Sequence, residues 1–371
     1  MKHTSLMIVG GTFDYAGGKP SSVVDTMINT MQGCCADLTY YNGGFVDELH
    51  QQILPQVKNV DIVVWMPNVP NDVPKMRNVK EINPKVILVS SKRNDNHKYS
   101  FAELINRALQ QKSNLVIEFS KTQDKEFAMR VFDPLGTLYY EGINISQMTI
   151  EMCRRAYTLT TFHRIASEQV GDAKEAPDQP EFFEFARGCS DIFHNLINPD
   201  ASVTRFLGNM SFRCQNGFPS YRGDDGLIYV SRRNVDKRFI NAESFVATYR
   251  GEDGQVCYYG GHKPSVDTPI QQRLYELFPQ MNYMLHAHCY IDLPDTVRTK
   301  SPVPCGALEE VQEIINATMY NGMQKEKLIT VNLAGHGCII MAASMDEIKQ
   351  IPYEAFVARP MPEKLEQSEI V

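Results

Sequence analysis

The sequence predicts an α/β protein in two parts, and three features carry that prediction. Across the first 150 residues, short apolar runs alternate with helical patterns, which implies a parallel sheet covered by helices on both faces. Residues 166–180 are polar and punctuated by Gly171, Pro177 and Pro180, the composition of a connecting segment. From Pro180 onward, short strand-like runs are separated by turn residues and longer helices, an α+β pattern. The expected organisation is a doubly wound Rossmann-like domain over residues 1–165, a linker over 166–180 and a second domain over 181–371. A chain of 371 residues is long enough to bury two cores.

In the first part, residues 6–10 read as a strand ending in Gly10-Gly11, followed by a helix over 21–31. Residues 38–41 are strand-like and 45–57 helical. The continuous apolar runs 61–65, 86–89 and 115–119 read as buried strands. Residues 99–111 set Phe101, Leu104, Ile105, Ala108 and Leu109 on one helical face. Asp133-Pro134-Leu135-Gly136 reads as a hairpin turn between 127–132 and 137–140, and 145–162 as a helix. In the second part, helices are expected over 181–196, 268–277 and 308–321. Strands are expected over 211–214, 227–230, 244–249, 255–259, 283–286, 328–333 and 338–341.

A formal net charge of −7 argues against a general nucleic-acid surface, which needs a basic stripe to neutralise phosphates. It leaves room for a local basic pocket that takes an anionic metabolite. No stretch is long and apolar enough to span a bilayer. The opening residues lack the apolar region and cleavage site of a signal peptide, so no membrane partner and a cytoplasmic location are expected. The nine cysteines, with Cys34-Cys35 adjacent and no CxxC spacing, fit reduced thiols better than a disulfide framework or a structural zinc site.

Two segments carry candidate chemistry. Residues 9–22 join the first strand to the first helix, where a doubly wound sheet faces its ligand crevice. Gly10 and Gly11 would let backbone amides approach a phosphate, with Lys19 adding charge. The spacing is neither GxGxxG nor GxxxxGK[ST], and a tight turn without a ligand is the alternative.

The second segment is Met284-Leu285-His286-Ala287-His288, which closes an apolar run. On a strand, residues i and i+2 share a face, so both imidazoles can converge on a metal; a surface or core histidine pair is the alternative. His336 stands between Gly335 and Gly337 at the end of another strand, where glycine permits a tight turn. Three imidazoles with an open position suit Zn2+ or a neighbouring divalent transition metal. Asp267, about twenty residues upstream at a helix start, is either a cap or a general base beside the metal.

The series Gly208-Asn209-Met210-Ser211, Pro264-Ser265-Val266-Asp267, His286-Ala287-His288 and Gly335-His336-Gly337 resembles the class II aldolase/adducin family, which includes fuculose-phosphate aldolase and ribulose-phosphate 4-epimerase. Residues 228–246 look like that family's next hairpin, and the likeness runs over about 181–345. The resemblance implies a class II aldolase-like α/β/α domain with a central antiparallel sheet, in a homotetramer. It implies that the three histidines hold the metal, that Asp267 transfers the proton, and that Asn209, Ser211 and Ser265 lie in the substrate pocket. Two departures stand out. Aspartate replaces the family's usual glutamate at 267, and Ser231-Arg232-Arg233-Asn234 replaces its Thr-Pro-Ser-Gly anion loop. Arg232 and Arg233 either grip an anion in bidentate fashion or form a solvated hairpin. The first part is similar, in its Gly-Gly-Thr start, the 114–119 strand and the following hairpin and helix, to the Rossmann-like phosphopantothenoylcysteine synthetase.

The expected function is a metal-dependent lyase, an aldolase working on a small sugar or sugar phosphate through a metal-stabilised enediolate. Tyr290, two residues after His288, is either the proton donor to the departing oxygen or a packing ring. An epimerase, dehydratase or decarboxylase would use the same ligands. A non-enzymatic adducin-type head, and a nucleotide-binding role for the first part with an accessory second part, are the remaining alternatives.

Overall fold

The computed structural model describes residues 4–32, 37–73, 79–121, 127–197, 206–213 and 226–364. Two compact units form. One runs to Thr161 and takes back a short stretch beginning at Met361; the other runs from Phe162 to Pro360.

The first unit is built on β1 (Leu6–Asp14), β2 (Leu38–Phe45), β3 (Ile62–Trp65), β4 (Ile87–Arg93), β5 (Leu115–Lys121), β6 (Phe127–Phe132) and β7 (Thr137–Gly142). The strand order is β7-β6-β5-β4-β3-β1-β2, with β2 through β5 parallel and β6 and β7 antiparallel. This is a doubly wound sheet whose order reverses between β1 and β3. Period-two burial explains it: Met7, Val9 and Phe13 enter one core with Leu49, Ile53 and Trp65, while Leu6 and Ile8 face the other side. The Phe101–Gln111 helix begins at a capping box between Ser100 and Glu103, and its Leu104, Ile105 and Ala108 are buried as the pattern requires.

β1 does not end at Gly10 but runs on to Asp14, because its residues pair with β2 on one side while Phe13 N–H reaches Asn68 O on the other. Gly10 lacks a Cβ because one would lie 2.5 Å from Val24 of the first helix, and Gly11 sits at φ +77° against Asn42 and Gly43. The amides of Thr12, Gly17, Gly18 and Ser21 already donate to Lys19 O, Asp14 O, Gly44 O and Asn42 Oδ1. Lys19 is exposed. Four amides of the segment expected to cradle a phosphate at Gly10, Gly11 and Lys19 are thus spent within the fold, and the two glycines pack closely against Val24, Asn42 and Gly43. Cys34 and Cys35 lie outside the described residues.

The second unit holds β8 (Ser167–Gly171), β9 (Asn209–Arg213), β10 (Ile228–Ser231), β11 (Phe245–Arg250), β12 (Val256–Tyr259), β13 (Tyr283–Ala287), β14 (Tyr290–Ile291), β15 (Val297–Arg298), β16 (Leu328–Leu333), β17 (Gly337–Ala342) and β18 (Phe356–Val357). Nine of them form one sheet in the order β15-β16-β17-β13-β9-β10-β11-β12-β8; β14 pairs with β18. The ladders from β16 to β12 are antiparallel, and the two edge strands join in parallel. The linker expected over 166–180 is thus corrected. Its first residues form β8, which pairs with β12 and belongs to this sheet. The boundary moves back to Thr161/Phe162, and the final strand Glu363–Lys364 pairs with β7 of the first unit, so 181–371 is not one continuous domain.

Both faces of this sheet are covered. The Pro180–Ile197 helix packs Phe182, Ala186 and Cys189 against Phe212, Leu285 and Ile340. The Thr268–Leu277 and Glu309–Tyr320 helices pack Ile270, Leu274 and Ile314 against Val230, Met284 and Met341 on the opposite face. Strand alternation then assigns His286 and Asn209 to the second face, at the end of the sheet where the helices begin.

Candidate metal centre

His286 sits in the middle of the sheet, paired across β9 to Asn209 and across β17 to Ile339. Its strand is approached closely from both sides. A Cβ on Gly208 (φ +79°) would lie 2.4 Å from His286 O, and one on Gly337 would lie 2.0 Å from Ala287 O. Only glycine fits at either place. The β16–β17 turn that carries His336 is tied at three points. Ala334 N–H donates to Thr299 Oγ1 at 2.8 Å, Gly335 N–H to Tyr290 Oη at 3.2 Å, and Arg359 Nη1 donates to His336 O at 2.7 Å.

These constraints bring the three imidazoles together, with ring centroids 4.7, 5.0 and 5.1 Å apart. All three residues are buried, and their candidate ligand nitrogens lie within 4.8 Å of one another. His286 Nδ1 is 2.8 Å from Cys338 O, so Nδ1 carries the proton and Nε2 presents its lone pair. That Nε2 is buried without a protein partner. Burial pushes the His286 pKa down to about 4, with the His336 charge acting the same way. Burial pushes His288 well down too. Both rings are neutral at physiological pH, the form that binds metal. His336 differs: burial disfavours its charge, but Glu310 Oε1 at 2.5 Å from Nδ1 and the Cys305 thiol overcome this and hold it well above the ordinary histidine range. A carboxylate behind a histidine fixes its tautomer and raises its basicity as a ligand.

Asp267 stands beside this cluster. Its Oδ2 accepts from Asn209 Nδ2 at 2.7 Å, and Asn209 Oδ1 in turn accepts from Gln271 Nε2. Its backbone N–H donates to Ser265 Oγ at 3.3 Å. The other carboxylate oxygen, Oδ1, is buried without a partner. Although Asp267 occupies the N-cap position of the Thr268–Leu277 helix, its side chain caps nothing. The carboxylate is therefore held by one oxygen and free at the other. The negative charge of Asp267 acts on His286, Lys237 and Glu310.

The donor set fits a divalent cation. Two buried polar atoms without partners, His286 Nε2 and Asp267 Oδ1, are costly unless something occupies the space they address. Three nitrogens with a carboxylate behind one of them suit a borderline transition metal.

Other expected site residues are placed differently. Ser211 shares the face of Asn209 but lies two residues further down β9, fully buried, with Oγ 3.1 Å from Tyr275 Oη. That contact ties β9 to the overlying Thr268–Leu277 helix. Asn209 is likewise buried, with both ends of its amide spent on Asp267 and Gln271, so it orients the carboxylate. Arg232 is half-buried with an unpartnered Nε, whereas Arg233 is exposed. Tyr290 is buried, its hydroxyl accepts from the histidine turn, and the Arg298 guanidinium lies 5.0 Å from its ring centre.

Sequence reasoning does not single out Glu310, Cys305 or Lys237. Glu310 had a readable signal: it falls on the apolar face of its helix, four residues before Ile314, where a charge needs a partner. Cys305, 3.2 Å from His336 Nε2, had none. Lys237 is buried, with Nζ donating to Phe206 O at 3.1 Å and Val235 O at 3.3 Å, and burial lowers its pKa to about 8.

Residues 194–354 match the family described as the Class II Aldolase and Adducin N-terminal domain. A methylthioribulose-1-phosphate dehydratase from Citrobacter koseri is 33% identical over 72 residues, 19% of this chain and 34% of that protein. The match therefore spans about a third of that relative's length. Among solved structures, an aldolase II superfamily protein from Pseudomonas syringae aligns at 13% identity and a TM-score of 0.32, covering 49% of this chain and 81% of its own. The DNA/pantothenate metabolism flavoprotein from Streptococcus pneumoniae aligns at 9% identity and a TM-score of 0.33, covering 42% and 99%.

Proposed function

We propose, from the premise that residues 194–354 are a class II aldolase-family domain, that this chain is a metal-dependent lyase acting on a small anionic sugar-type substrate such as a sugar phosphate. The observation that carries the proposal is the pair of unpartnered buried atoms, His286 Nε2 and Asp267 Oδ1, beside three converging imidazoles. His286, His288 and His336 hold Zn2+ or another divalent transition metal. When bound, such an ion supplies Lewis acidity, drawing off the enediolate charge that develops as a bond next to a carbonyl breaks.

Asp267 moves the proton. In C–C cleavage its Oδ1 takes the proton of the hydroxyl that becomes the aldehyde and returns it to the enediolate carbon; in dehydration it takes a C–H proton next to the carbonyl and returns it to the β-hydroxyl, which leaves as water. Asn209 and Gln271 keep the other carboxylate oxygen occupied, so the free one keeps its aim. Arg232, with a donor to spare, holds the anionic end, which orients the reacting bond. Tyr290 positions the His336 turn through Gly335, a role its hydrogen bond supports more directly than proton donation. Dehydration is the second reading, favoured by the relative named as a dehydratase of a phosphorylated ketose.

The test is a screen of the metal-loaded protein against dihydroxyacetone phosphate with aldehydes, and against pentulose and hexulose phosphates, with product analysis to separate cleavage from dehydration. Asp267→Asn keeps its metal and loses about 10²–10⁴-fold in turnover. A metal-loaded wild type inert on every member of the panel contradicts the proposal. The proposed assembly is a homotetramer, which sedimentation distinguishes from a single 42.1 kDa chain.

A further inference from the structure

Strand β9 carries Asn209, and its two neighbouring strands do not support that residue equally. On the β13 side, pairing continues to Asn209, opposite His286. On the β10 side it stops two residues earlier, at Ser211 opposite Val230. Side chains take over from there. Phe206 N–H donates to Asn234 Oδ1 at 3.0 Å, and Lys237 Nζ donates to Phe206 O at 3.1 Å and to Val235 O at 3.3 Å. Two carbonyl oxygens cannot bond each other, so a group with several donors must join them, and an ammonium has three. Lys237 is buried, and the Asp236 carboxylate beside it is bonded to Arg238. A buried ammonium held by neutral carbonyls costs stability that a methionine of similar length would not. What the ammonium adds is its donors.

We propose that Lys237 is a positioning residue of this site: it staples the segment leading into Asn209 to the turn that follows Arg232, and so sets the aim of Asp267 relative to the anion-holding arginine. The inference rests on the roles proposed above for Asp267 and Arg232. Val235 N–H closes that turn on Arg232 O at 3.4 Å, so the staple reaches the arginine through one hydrogen bond. Gly208, at φ +79° between Phe206 and Asn209, has no side chain to restrain the strand, and the restraint falls on Phe206. Asn209 Nδ2 holds one oxygen of Asp267 at 2.7 Å, so a shift of Asn209 turns the free oxygen away from its proton. A displacement of about 1 Å costs about 10²-fold in rate.

Hydrogen exchange read by mass spectrometry on the zinc-loaded full chain tests the staple, and exchange of the C–H protons of dihydroxyacetone phosphate in D2O tests what it does. In Lys237→Met, peptides from residues 206–213 and 232–236 exchange about tenfold faster than in the wild type, while peptides from β13 and β17 and the zinc content do not change. On dihydroxyacetone phosphate, Lys237→Met loses about 10²-fold in kcat with KM nearly constant. Adding Asn209→Ala then costs little more, because both act through Asp267, whereas two unconnected defects would add. Amides that exchange as in the wild type overturn the staple. Faster amides with an unchanged kcat, or additive losses in the double variant, overturn the positioning role. A Lys237→Met chain that sheds its zinc assigns the lysine to the metal site instead, and overturns it too. A metal-loaded wild type that exchanges no C–H proton removes the proton-transfer reading of Asp267, and this inference with it, whatever the amides show.

Discussion

His286 donates from Nδ1 to the Cys338 carbonyl at 2.8 Å, and that one bond decides which nitrogen is left to act. Around it, one carboxylate oxygen of Asp267 is held by Asn209, Asn209 by Gln271, and His336 by Glu310. The histidines and Asp267 were readable in the sequence because strand alternation and a helix start are local patterns. Glu310, Cys305 and Lys237 reach the site from other segments, and no local pattern records where they converge. Lys237 yields a pH test. Its ammonium keeps its proton to about 8 in the folded chain, against 10.5 unfolded. Between these values the unfolded chain binds more protons, so the stability this group contributes rises with pH. The full depression corresponds to about 3 kcal/mol. Urea titrations should therefore find the wild type gaining up to about 3 kcal/mol over Lys237→Met between pH 8 and 10.5. A difference that stays constant over that range contradicts the burial argument.

At the scale of elements, the register of β13 between β9 and β17 sets the site. The sequence marks this region well: the Thr268–Leu277 helix is read to its ends, and β13 and β17 to within a residue. It misleads where polarity comes from an edge strand. β8 carries Glu168 and Gln169 because only one side of it is paired, and such a strand has the composition of a linker. At Gly10-Gly11 the two glycines also allow close packing against Val24 and Asn42. Gly337 is the sharpest test at this scale. Gly337→Ala forces a Cβ to within 2.0 Å of Ala287 O, and β13 and β17 must separate. The expected cost is about 1–3 kcal/mol in chemical denaturation, with weakened metal retention. Unchanged stability and metal content would contradict the close approach.

For the whole molecule, the division into a doubly wound unit and a mainly antiparallel unit follows from the change in hydrophobic period along the chain. The pairing of Glu363–Lys364 with β7 was not legible, because a strand of two residues carries no periodicity. Among the described residues, no helix is long and apolar enough to cross a membrane. The metal content of the chain, measured by elemental analysis after loading with Zn2+ and exhaustive dialysis, bears most directly on the central proposal. The account predicts about one zinc per wild-type chain and almost none in His286→Ala or His288→Ala variants that keep the wild-type circular dichroism spectrum. A wild type that retains no more zinc than those variants would contradict it.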